Sequence, residues 1–138
     1  MEDEDVAATG GAGEPLTEDE AWALLRSEQV GRLAYHVGAE VDIAPVNHVV
    51  VGRQVLFRTA PGSKLFGVVA GKTVAFEVDR LDDAEASSAV LRGVARRLTA
   101  EEAAEHAGRL HPWVTSEKPE VVAVEAVHVS GRRFRLSR

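Results

Sequence analysis

Between Leu33 and Thr59 the chain reads as three strand-like runs divided by short glycine-bearing reversals, the first with strict alternation. Leu33, Tyr35 and Val37 alternate with Arg32, Ala34 and His36; Gly38-Ala39-Glu40 turns the chain; residues 41–51 form a second run; Gly52-Arg53 leads into a third at 54–59. A period of two belongs to half-buried strands, and glycine turns between such runs belong to hairpins. The pattern continues downstream. Residues 72–79 (KTVAFEVD) carry a strongly apolar face, and 88–98 follow a polar loop at 80–86 as a strand containing Gly93. Residues 120–129 and 132–137 read as two strands around Ser130-Gly131. The sum is a mostly β chain of six to seven strands, closed or nearly closed into an antiparallel barrel.

Two or three short helices accompany the strands. Thr17 and Glu20 have capping-box spacing with Leu16 just outside, and Ala21, Leu24 and Leu25 supply an apolar stripe that fades near Glu28. Pro61-Gly62 stops the third strand, and a helix is predicted from Ser63 to about Val69. Thr99 and Glu102 repeat the capping box, predicting a helix to about Arg109 that His111-Pro112-Trp113 breaks. Residues 1–15 are acidic, rich in Gly and Ala, and predicted to be a disordered tail; residues 16–138 form the folded domain.

Charge and composition exclude several function classes. The net charge of −6 speaks against a nucleic-acid partner. The one basic cluster, Arg132, Arg133, Arg135 and Arg138, is expected to be a solvated strand face. The chain has no cysteine, so disulfides, thiol nucleophiles and Cys-based zinc sites are excluded. No apolar run approaches the ~20 residues that span a bilayer. The first residues, Met1-Glu2-Asp3-Glu4-Asp5, do not resemble a secretory signal, so a cytoplasmic protein with no membrane partner is expected. His36, His48, His106, His111 and His128 lack metal-binding spacing, and there is no GxSxG or GxGxxG, so no metal is expected.

The stretch with the most chemistry is Arg58-Thr59-Ala60-Pro61-Gly62-Ser63-Lys64-Leu65. A guanidinium and a hydroxyl end a strand, and a hydroxyl and an ammonium open a helix. A phosphate is held by such groups: fork-shaped donors, hydroxyls and free N–H groups at a helix start. A surface turn with Arg58 paired to a carboxylate such as Glu77 is the plainer alternative. Upstream, Ala44-Pro45-Val46-Asn47-His48-Val49-Val50 places a proline and two polar residues in an apolar strand. Proline there implies an edge or a bulge. The Asn47 amide could then read the edge of a flat heterocycle, or satisfy a local turn. His48 is the best acid–base candidate, since histidine titrates near neutral pH, although a structural or solvent-facing role is the plainer alternative.

Taken together, the run PVNHVVVGRQVLFRTAPGSKL with the later VAFEVD and VLRGVARRLT strands resembles the pyridoxamine 5′-phosphate oxidase-like family, and more narrowly its short flavin-binding branch common in actinobacteria. The resemblance covers roughly residues 16–115. It implies an FMN-binding split barrel, a homodimer with FMN at the dimer interface, and an oxidoreductase acting on a small molecule. Arg58, Thr59, Ser63 and Lys64 match the phosphate-binding segment, Val46, Asn47 and His48 the strand beside the isoalloxazine ring, and Trp113 a tryptophan near flavin or interface. Where relatives often carry a Gly-Trp pair, this chain has Ser87-Ser88-Ala89. The substrate-phosphate residues of true pyridoxamine phosphate oxidases have no counterpart. The alternative function is a non-enzymatic protein that binds or stores a flavin, a deazaflavin cofactor or heme.

Overall fold

A computed structural model describes residues 13–59, 65, 69–110 and 120–136. Its elements are β1 (Glu14–Pro15), α1 (Glu18–Ser27), β2 (Val30–Val37), β3 (Glu40–Val51), β4 (Gln54–Thr59), β5 (Thr73–Leu81), β6 (Glu85–Arg97), α2 (Ala100–Glu105) and β7 (Glu120–Arg135). The seven strands form one antiparallel sheet in the order β1-β7-β4-β3-β2-β5-β6, and β6 also pairs with β7. That last pairing closes the ring, so the fold is the split barrel expected from the sequence.

Alternation decides what the barrel holds. Leu33, Phe76 and Leu91 lie in register on β2, β5 and β6, and all three are fully buried in the core. Val46, His48 and Val50 turn the same way from β3, and Val122 and Val124 from β7. Helix α1 plugs one end with Ala21, Trp22, Leu24 and Leu25. Both capping boxes read in the sequence are present, Thr17 with Glu20 and Thr99 with Glu102.

Several boundaries moved. Ser130-Gly131 does not reverse the chain; β7 runs straight through it. Gly131 lies opposite Ala89, and a Cβ there would stand 2.7 Å from the Ser88 carbonyl oxygen, so the glycine serves close strand approach and not a turn. The polar loop at 80–86 shrinks to a reversal at 82–84, because the Asp82 carboxylate accepts from the N–H groups of Ala84 and Glu85 and lets β5 and β6 pair up to Leu81↔Ala86. Helix α2 ends at Glu105, and turns carry the chain to Arg109. Within the predicted tail, Glu14 and Pro15 pair with Arg133 and Arg132, and Arg132 Nη1 donates to the Gly13 carbonyl at 2.9 Å. Of the helix predicted at 63–69, Leu65 and Val69 are described and helical.

Candidate functional site

The inward residues of β3 are packed as core. His48 is 4% exposed; its Nε2 donates to the Leu25 carbonyl at 2.8 Å, and its backbone N–H donates to the Gln29 carbonyl. Its ring meets Phe76 edge-on, with centroids 4.7 Å apart. Burial pushes the imidazole below its usual pKa, and the contacts to the Leu25 and Gln29 carbonyls offset only part of that. His48 is therefore neutral near pH 7, with its proton on Nε2, and it ties α1 to the barrel. Val46 is likewise buried, so of Val46, Asn47 and His48 only Asn47 turns its side chain outward.

The outer face of β3, β4 and β7 is the informative one. Val49 and Leu56 face each other across β3 and β4, with Ala123 opposite Leu56 on β7. Leu56, Val121 and Ala123 form a second apolar cluster with Leu98 and Leu110, outside the barrel and beneath α2. One step further along, alternation puts Asn47 of β3 and Arg58 of β4 on this same face. Arg58 Nη2 reaches the Ala107 carbonyl at 3.4 Å, while Nε is buried with no hydrogen-bond partner among the described residues. Glu77, the carboxylate that could have neutralised Arg58, is held by Arg32 at 2.7 Å. Thr59 turns inward, and its hydroxyl donates to the Glu120 carbonyl at 3.4 Å.

Beside Asn47 opens a pocket of about 410 Å³, lined also by Arg26, Glu28, Gln29, His48, Val49, Val50 and Arg109. Arg109 Nη2 donates to the Val50 carbonyl at 2.8 Å, which fixes its guanidinium over β3. The only acid among these lining residues, Glu28, is taken up by Arg80 at 2.9 Å. Arg26, Arg58 and Arg109 have no carboxylate partner among the described residues. The face thus combines uncompensated cations, two amides and an apolar floor. Such a surface suits a flat heterocycle carrying an anion.

Ser63, Lys64 and Trp113 lie outside the described residues. Arg26 and Arg109 escaped the sequence reading because nothing local marks them; they meet only when α1 and the α2 turn dock beside β3.

The family profile of pyridoxamine 5′-phosphate oxidase matches residues 17–133. An uncharacterised protein of Mycobacterium tuberculosis is 38% identical over 127 residues, covering 86% of this chain and 84% of the relative. Among solved structures, the FAD binding protein from Mycobacterium smegmatis is 38% identical with a TM-score of 0.78, covering 88% of this chain and 98% of that one. A Corynebacterium glutamicum protein bearing the pyridoxamine 5′-phosphate oxidase name is 34% identical with a TM-score of 0.82, covering 90% of this chain and 99% of that one.

Proposed function

The chain belongs to the pyridoxamine 5′-phosphate oxidase family, and on that premise we propose that it binds a flavin nucleotide on the outer face of β3 and β4 and serves as an oxidoreductase for a small molecule. The observation that carries this reading is Arg58: a guanidinium with no carboxylate partner among the described residues, on the face that Asn47 shares. A guanidinium left without a carboxylate can offer its outer nitrogens to an oxyanion in charge-assisted bonds. The residues present therefore fit a flavin phosphate.

FMN is the minimal ligand of this kind. FAD contains the same ring, ribityl chain and first phosphate, and the M. smegmatis relative is an FAD binding protein. In this reading Arg58 holds the phosphate, together with Ser63 and Lys64 of the following segment. Asn47 offers its amide to the edge of the ring, and Arg26 and Arg109 supply positive charge beside it. A bound flavin would supply hydride and electron transfer, while the chain contributes binding, orientation and field.

A second copy of the chain completes the proposal. Val41 and Ile43 are 70% and 60% exposed on the outer face of β3, and Ile43, Ala34 and Ala75 lie in one register line. Contiguous apolar surface of this kind is normally covered by a partner.

The test is an absorption spectrum of freshly purified protein, followed by titration with FMN, FAD and riboflavin. Flavin bands, or saturable binding of either nucleotide ahead of riboflavin, are expected. A colourless protein that ignores both nucleotides overturns the reading.

A further inference from the structure

The C-terminus of α1 is not closed by a left-handed residue, a common local device for pairing the last carbonyls of a helix. Glu28 leaves the helix in extended backbone, at φ −104° and ψ 146°. Leu25 lies in the last turn, whose carbonyls the helix itself leaves unpaired. The donor comes from β3 instead: His48 Nε2 reaches the Leu25 carbonyl at 2.8 Å. The backbone N–H of the same residue donates to the Gln29 carbonyl at 2.9 Å.

His48 thus fastens both ends of the junction 25–29 between α1 and β2. Within that junction stand Arg26, Glu28 and Gln29, which line the pocket beside Asn47. Gln29 precedes Val30, and Val30 pairs with Asn47 across β2 and β3. The fastening therefore sets where Arg26 and Gln29 stand relative to the Asn47 amide. Glu28 is drawn aside by Arg80 at 2.9 Å. Arg109 reaches the pocket from the α2 turn and is fixed separately, through the Val50 carbonyl at 2.8 Å.

The imidazole is held for this task and no other that the geometry supports. It is 4% exposed, and its ring meets Phe76 edge-on with centroids 4.7 Å apart. Nδ1 is buried with no hydrogen-bond partner among the described residues. Val46 and Val50 flank it at the inward positions of β3. An aliphatic residue in its place would pack as they do, but it would leave the Leu25 carbonyl without its donor.

We propose that His48 is a positioning residue for the ligand pocket: through the Leu25 and Gln29 carbonyls it holds Arg26 and Gln29 in place for the flavin. This inference rests on the flavin reading above and gives His48 a part in it other than acid or base.

FMN titrated into the full chain provides the test. His48→Leu keeps most of the volume and loses the donor, and it should bind FMN about tenfold more weakly. His48→Gln, whose amide nitrogen extends as far as Nε2, should recover most of that loss. His48→Asn, one methylene shorter, should not, and it replaces His48→Leu throughout if the latter does not fold. The loss should also run through the α1 junction in particular. Where Arg26→Ala and Gln29→Ala are already present, His48→Leu should cost less than about twofold more; where Arg109→Ala is present instead, it should cost its full factor of about ten. A merely structural role would weaken binding alike in both backgrounds. Equal factors in the two backgrounds, or a His48→Gln that binds no better than His48→Asn, overturn the proposal and leave the flavin reading standing. A native chain that binds neither FMN nor FAD defeats that reading, and this proposal with it.

Discussion

His48 Nε2, on a strand inside the barrel, stands 2.8 Å from the carbonyl of Leu25, two residues before the end of α1. The contact closes the helix C-terminus onto the sheet and requires a proton on Nε2, while burial keeps the ring neutral.

This contact gives stability a pH dependence. The folded pKa of His48 is lowered by burial, so the unfolded chain binds the proton first as pH falls. Stability is then fully present above the unfolded value of about 6.5 and is lost as pH drops below it. Melting temperatures between pH 8 and pH 5 should fall in the native protein. His48→Gln can still donate to Leu25 but does not titrate, so it should flatten this part of the curve. An identical profile in both proteins would show that His48 does not carry the effect.

Arg58→Ala should weaken FMN by roughly ten- to a hundredfold, as expected for one charge-assisted contact to a phosphate. Riboflavin, which has the same ring and no phosphate, should be nearly unaffected. Equal losses for the two ligands would mean a general defect and would remove Arg58 from the phosphate site.

Much of this architecture is readable before any coordinates. Thr17 with Glu20 and Thr99 with Glu102 announce both helix starts, because a capping box is local chemistry. Alternation likewise locates the strands. It misled at Ser130-Gly131, where a turn dipeptide sits inside β7: whether a glycine bends a chain or admits a neighbour depends on the strand opposite, here β6. The site was legible in part. Asn47 and Arg58 meet on one face as their strands imply, whereas the inward turn of Val46, His48 and Thr59 needed the register. Arg26 and Arg109 gather by docking of distant segments, which no local pattern records.

Gly93→Ala should be severely destabilising. A Cβ at Gly93 would lie 2.0 Å from the Glu125 carbonyl oxygen, at the register shift between Arg92 and Gly93. Backbone cannot swing aside as a flexible side chain can, so about 3 kcal/mol or more is expected. Gly108→Ala, with nothing within 4 Å of the added carbon among the described residues, is the control and should be close to neutral. Comparable chemical-denaturation midpoints for the two variants would contradict the bulge as a packing constraint.

Ile43→Glu should disrupt self-association. The side chain is 60% exposed on the proposed dimer face and touches no core, so the variant should fold normally. Sedimentation velocity at micromolar concentration is expected to give a dimer for the native chain and a monomer of 14.8 kDa for the variant. A native chain that already sediments as a monomer would refute the dimer.

Strand β7 pairs with β1, β4 and β6, and its pairs reach from Glu14↔Arg133 to Thr59↔Glu120. During synthesis, therefore, the β2–β5 segment can emerge from the ribosome and form hairpins, but it has no closing partner until the last strand follows. Until then β4 and β6 expose unpaired edges, which are templates for association with other nascent chains. Ring closure over such sequence separations carries a larger loop-closure entropy cost than the local turns that precede it.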